Sequence, residues 1–192
     1  SLLAFCQRNA KSRQGALGFF LLGYRAWEDR KLPEAKQYLE GSNQAASPIQ
    51  DYARFYLASI AFELKEFKES QTHLEDFSSR FPNSPLLAKA RLLFWQSSLE
   101  LKDSHTLLNS LRGLTGLESN PDALYYQAQA YDVLGDAAKA LPIYQKLYYQ
   151  FPLHDSANLT AQRLSALAGG DLPVPKEWRI TRIEKLLTGR RH

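Results

Sequence analysis

The sequence predicts an all-α fold, a right-handed α-solenoid of about four helix pairs with a capping helix and a C-terminal helix. Three observations predict it. Small residues recur at near-constant spacing along the chain. Apolar residues follow helical period: Leu74, Phe77 and Phe81 stand at i, i+3 and i+7, and Leu107, Leu108, Leu111 and Leu114 form one stripe. No stretch alternates apolar and polar residues over the length of a strand. At least nine helices are expected, and Ser84-Pro85 and Asn120-Pro121 read as helix N-caps followed by proline in the first turn.

The clearest pair starts at Pro121. Ala128 is small and lets two helices touch, and Tyr131 follows as a large residue. Gly135-Asp136 makes the turn, and Ala140 lets the second helix close on the first. Tyr144 fills the gap, and Pro152 ends the unit. This pattern resembles the tetratricopeptide repeat, with Gln127 standing where leucine is usual. The same frame fits the rest of the chain. Its first-helix position reads Gly23, Ala58, Trp95 and Ala128, at spacings of 35, 37 and 33 residues, close to the roughly 34 of that class. Its second-helix position reads Ala35, Ser70, Leu107 and Ala140, and Pro48, Pro82, Pro121 and Pro152 close the units. Trp95 and Leu107 are large where small residues belong, so the helices of the third pair are expected to splay.

Stacked pairs need covered ends. Asp155 to Ala168 reads as a cap on the last pair, with Leu164 and Leu167 inward and Gln162 and Arg163 outward. Gly169 to Pro175 then breaks helix. Lys176 to Thr188 reads as a last amphipathic helix, with Trp178, Ile180, Ile183, Leu186 and Leu187 on one side and Arg179, Arg182 and Lys185 on the other. The expected organisation is a repeat array over 1–168, a Gly/Pro linker over 169–175, and over 176–192 a helix leading to a missing or separate domain. The absence of Met fits a processed product or an excised piece.

Composition narrows the function classes. Twenty-four Lys and Arg against 20 Asp and Glu give a net charge of +4. The basic residues are interleaved with acidic ones and form no block alternating with aromatics, so nucleic acid is not an expected partner. No apolar run reaches the roughly 18 residues of a membrane span. The single cysteine, Cys6, excludes an intrachain disulfide. Leu3-Ala4-Phe5-Cys6 has a passing likeness to a lipoprotein processing site, although Phe5 stands where a small residue belongs. The simpler reading is a cysteine on the first helix. His73, His105, His154 and His192 share no metal-ligand spacing, and Gly113 to Gly116 reads as a helix terminus rather than a phosphate loop. No catalytic residue, metal site or cofactor is expected. Glu63, Glu66, Glu69 and Glu75 read as surface charges balanced by Lys65 and Lys68.

What remains is a surface. First helices line the concave face of such a superhelix. Projecting the frame places Phe20, Tyr24 and Trp27 there from the first pair, Tyr52, Phe55 and Phe62 from the second, and Tyr125 and Gln129 from the fourth. Aromatic residues supply large contact area in recognition sites. The competing reading is that the rings pack against the neighbouring pair.

A further likeness concerns the setting. Gly15 to Tyr24 (Gly-Ala-Leu-Gly-Phe-Phe-Leu-Leu-Gly-Tyr), Asp51 to Ala58 and Arg80-Phe-Pro-Asn-Ser-Pro85 occur in order. Ile143-Tyr-Gln-Lys-Leu-Tyr-Tyr-Gln-Phe-Pro152, the Leu-Pro-Val-Pro linker and Arg182-Ile-Glu-Lys-Leu-Leu187 follow. The whole resembles the N-terminal superhelical region of soluble lytic murein transglycosylases. Such enzymes cleave peptidoglycan glycan strands with one glutamate in a Glu-Ser motif of a separate lysozyme-like domain. Neither Glu69-Ser70 nor Glu118-Ser119 is followed by that family's Gly-Leu-Met-Gln. The resemblance therefore implies a non-catalytic scaffold in the bacterial envelope, most naturally the periplasm. Its expected partners are another domain of the same polypeptide, a partner protein, or peptidoglycan. The alternative is a stand-alone periplasmic or lipid-anchored repeat protein that mediates envelope assembly.

Overall fold

A computed structural model describes residues 1–43, 47–168 and 174–189. Among them every regular element is helical and there is no strand. The order is α1 (Leu2–Arg8), α2 (Arg13–Glu28), α3 (Leu32–Asn43), α4 (Gln50–Glu63), α5 (Phe67–Leu74) and the single turn α6 (Phe77–Arg80). Then come α7 (Leu87–Glu100), α8 (Ser104–Leu111), a 3-10 turn (Leu117–Ser119), α9 (Pro121–Val133), α10 (Ala137–Gln150), α11 (Ala157–Ala168) and α12 (Lys176–Gly189). The packed helix pairs are α2/α3, α4/α5 and α9/α10, and the third pair of the frame corresponds in sequence to α7 and α8. The fold is the all-α solenoid of helix pairs that the frame predicts.

The small-residue frame is where pairs close. Ala35, Ala58, Ala128 and Ala140 are fully buried, as is Ser70. At Gly23 an added Cβ would stand 2.6 Å from Leu39 Cγ and 3.1 Å from its backbone nitrogen. Hydrogen in place of a methyl is what lets α2 and α3 touch there. The turn inside each pair repeats as well. Arg30, Lys65, Lys102 and Gly135 all adopt positive φ, at 60°, 63°, 55° and 72°. Their spacing is that of the repeat itself.

The chain divides into two compact units, Ser1–Leu101 and Lys102–His192. The boundary falls inside the third pair, whose frame residues are the oversized Trp95 and Leu107. The first unit is built around Ala26, Ala35, Leu39, Leu57 and Ile60. Cys6 on α1 is fully buried in it. Here α5 meets α7 through a polar seam: Ser97 donates to Ser70 Oγ at 2.9 Å, and Gln71 donates to Ser98 Oγ at 3.1 Å. The second unit is built around Leu124, Ala128, Ala140, Tyr144 and Leu147. Leu164 and Leu167 of α11 pack on that core, as the capping role requires.

Some local expectations change. Asn120 caps α9 as expected, accepting from Ala123 N at 3.1 Å. Ser84 does not cap α7, which begins at Leu87. Its hydroxyl instead accepts from Leu86 N and donates to Asp51 Oδ2 at 2.5 Å. The glutamates are not balanced by Lys65 and Lys68. Lys36, one pair earlier, reaches both Glu66 and Glu69 at 2.6 Å, and Arg30 holds Glu63 at 2.8 Å. A cation placed about one repeat before its acid crosses between neighbouring pairs, which spacing within one helix cannot reveal. Helix α8 ends at Leu111, so Leu114 lies beyond the stripe's helix. Of the linker 169–175, residues 169–173 lie outside the described residues, as do residues 190–192 beyond α12.

Candidate partner-binding surface

In the first unit, α2 and α4 meet along an aromatic face. On α2, Phe20, Tyr24 and Trp27 occupy i, i+4 and i+7, which share one side of a helix. On α4, Tyr52, Phe55 and Tyr56 occupy i, i+3 and i+4, which also share one side. The rings interlock across the helices. Phe20 lies edge-on to Tyr52 and Tyr56, with centroids 6.3 and 6.0 Å away. Tyr56 is the hub, 5.3 Å from Tyr24, 5.1 Å from Trp27 and 5.6 Å from Phe55. These separations lie in the range where edge-to-face pairs add to simple area burial.

The far end of the face is closed by polar contacts. Trp27 Nε1 donates to Glu63 Oε1 at 3.1 Å, and Arg30 pairs with the other carboxylate oxygen. Glu63 stands eleven positions after Tyr52, three helical turns along the same side, which is why it meets Trp27. Burial pushes the Tyr56 phenol above its ordinary value, with neighbouring Tyr24 adding to the effect. Tyr56 therefore stays neutral and hydrogen-bonding through the physiological range. All six rings are half-buried.

The structure thus brings together Phe20, Tyr24, Trp27, Tyr52 and Phe55 from the sequence reading and adds Tyr56, which that reading missed. The signal was present, because Tyr52–Tyr56 repeats the four-residue spacing of Phe20–Tyr24. Phe62 does not join them. Six residues beyond Tyr56, it turns to another side of α4 and packs on Phe67 of α5, with centroids 5.2 Å apart. Much of the ring surface holds the two first helices together, and its outer edges remain for a partner.

Tyr125 and Gln129 belong to the second unit. Gln129 Nε2 donates to the Tyr125 hydroxyl at 2.7 Å. Next to them Asp132 takes two guanidinium contacts from Arg163 of α11, the second at 2.6 Å, and accepts from Tyr144. Burial is the main cause that pushes the Tyr144 phenol far up, and burial also raises Tyr125. Helix α12 docks on α10. Arg182 stacks 3.7 Å over the Tyr148 ring and donates to the Tyr148 carbonyl, and Lys185 Nζ donates to the Gln150 carbonyl at 2.6 Å. Two cations thus meet the carbonyl end of α10, where the helix dipole favours positive charge.

Among the described residues no group of His, Cys, Asp and Glu is arranged to hold a metal. No helix among them is long and apolar enough to cross a membrane. The geometry offers surfaces for contact. A family model described as tetratricopeptide repeat matches residues 52–84 and 122–154. These stretches are the second and fourth pairs of the frame with their closing loops, so the chain carries tetratricopeptide repeats there. No curated protein matches the chain.

Proposed function

We propose that this chain is a non-catalytic scaffold that binds protein through the aromatic face of α2 and α4. The observation that carries the reading is the interlocked cluster of Phe20, Tyr24, Trp27, Tyr52, Phe55 and Tyr56. Its rings are held by one another and by Glu63, so a partner meets a rigid platform and little side-chain ordering opposes binding. Tetratricopeptide repeats commonly serve in this way. The resemblance in motif order supports a finer version: the scaffold belongs to a peptidoglycan lytic transglycosylase, and glycan cleavage is done by a domain outside this chain. The second reading is a stand-alone envelope-assembly scaffold in the periplasm, lipid-anchored or not.

A photo-crosslinking amino acid placed at Tyr52 or Phe55 in native cells tests the platform. Discrete protein adducts are expected that disappear when the crosslinker sits at exposed Gln37 instead. Adducts identical at all three positions would remove the reading. Sedimentation of the purified chain with murein sacculi tests the finer version, in which part of the chain is retained with the pellet. No retention would leave the protein-binding scaffold alone.

A further inference from the structure

The third pair of the frame lacks the aromatic ending of the second and fourth pairs. After α5 the chain places Phe77 and Phe81 with centroids 5.1 Å apart, and after α10 it places Phe151. In the frame of the third pair, Leu114 stands where Phe77 does. The chain there leaves the helix at Leu111 and passes through Gly113 and Gly116, both at φ +76° with open space around them. The result, wholly within the second unit, is a cleft of about 490 Å³. That volume lies in the range of ligand-binding pockets, roughly 300–1,000 Å³.

Its floor is apolar, formed by Leu108, Leu111, Leu114 and Leu117 with the Tyr131 ring. Its charged rim holds Arg112 and Lys139 against the single carboxylate of Asp136, and His105 adds a further titratable group. Asp136 is already engaged as the N-cap of α10 and pairs with Lys139 at 2.6 Å. Lys139 also lies 5.3 Å from the Tyr131 centroid. Arg112 is exposed at the mouth, where its guanidinium can meet an anion.

From the floor and the unbalanced positive rim, we infer that this cleft is a second docking site, for a peptide segment of a partner protein with a bulky apolar residue followed by acidic ones. The apolar side chain enters over the leucines, and the acidic residues meet Arg112. The site lies apart from the α2/α4 face and does not depend on it.

Fluorescence anisotropy on the full chain with a labelled Gly-Ser-Phe-Asp-Glu-Asp peptide tests the inference. The controls are Gly-Ser-Ser-Asp-Glu-Asp, which lacks the apolar residue, and Gly-Ser-Phe-Lys-Arg-Lys, which reverses the charge. Saturable binding is expected, about tenfold tighter than either control. Arg112→Glu, on an exposed side chain, should weaken it about tenfold, and Leu114→Trp, which fills the cleft, should do the same. Phe55→Ala should leave it unchanged. The same affinity for all three peptides, unaltered binding by both cleft variants, or no saturable binding up to millimolar peptide would each overturn the site. These results are read separately from the crosslinking at Tyr52 and Phe55, so either surface can fail without the other.

Discussion

A residue at positive φ closes the turn inside every pair, and only at Gly135 is it glycine. Arg30, Lys65 and Lys102 take the same conformation with a Cβ, at a cost of roughly 1–2 kcal/mol for an L side chain. Glycine gives back roughly 0.5–1 kcal/mol of this through its freedom in the unfolded chain. Lys65→Gly is therefore expected to raise stability by up to about 1 kcal/mol, and Gly135→Ala to lower it by a similar amount. Nothing lies within 4 Å of a Cβ at Gly135, so the effect there is conformational and not steric. Urea unfolding midpoints decide it, and a neutral Lys65→Gly would show that the turn is unstrained. The sequence showed this turn only at Gly135-Asp136, because lysine and arginine carry no mark of their backbone angle. A second residue-scale prediction concerns pH. Burial lowers His73 below its ordinary 6.5, although its Nε2 lies 3.5 Å from a Glu69 carboxylate oxygen that pulls the other way. The folded state therefore favours neutral His73, and stability falls as pH drops through 6.5 toward the lowered folded value. Glu69, hydrogen-bonded by Lys36, and Asp76, hydrogen-bonded by Arg54, are both lowered and lose their contribution only below 4.5 and 3.8. His73→Leu should flatten the stability profile just below pH 6.5 and leave the more acidic fall in place. An unchanged slope there would assign it to other groups.

At the scale of elements, a strap recurs that joins the start of a first helix to the loop after the next second helix. Ser84 donates to Asp51, and two repeats on, His154 Nε2 lies 3.1 Å from Asp122. Both loops follow a Phe-Pro pair, Phe81-Pro82 and Phe151-Pro152. The Phe-Pro endings were legible in the sequence, and so was the small-residue frame, because each depends on residues a few positions apart. The strap was not, because its carboxylate stands about one repeat earlier and only folding brings the two together. For the same reason Ser84-Pro85 read as a helix cap, although Ser84 serves the previous pair and α7 starts at Leu87. Asp51 is nearly buried, at 9% exposure, so its bond to Ser84 is a charged hydrogen bond with little solvent to replace it. Ser84→Ala should cost about 1.5–3 kcal/mol. A double-mutant cycle with Asp51→Asn should return a coupling of about 1 kcal/mol. A coupling near zero would mean that the Phe-Pro loop is held by its own turn.

For the whole molecule, what matters is that the chain has two cores, one in each compact unit. In repeat proteins stability is close to a sum over units and the interfaces between neighbours. The frame revealed four pairs and marked the third as irregular through Trp95 and Leu107. The division between Leu101 and Lys102 was not legible, since it depends on how many contacts each side gathers and not on any local pattern. The aromatic face was legible in five of its six rings, because rings three, four or seven positions apart share a side of a helix whatever the partner. Phe62 stands apart from the cluster because the direction of a ring near the helix end depends on its neighbour across the turn, here Phe67. The two cores give a prediction at this scale. Leu57 is 1% exposed in the first core and Leu124 is 2% exposed in the second. Truncation of either to alanine removes buried methyl groups and should cost about 2–5 kcal/mol. If the cores act as separate cooperative units, Leu57→Ala accelerates amide exchange through α2 to α5 and leaves the helix amides from Leu124 to Leu147 near their original rates. Leu124→Ala does the reverse. Native-state hydrogen exchange resolves the two patterns, because opening free energies are read amide by amide. If each variant instead speeds exchange evenly from α2 to α11, the third pair transmits stability across the boundary despite its oversized frame residues. The chain would then unfold as one body.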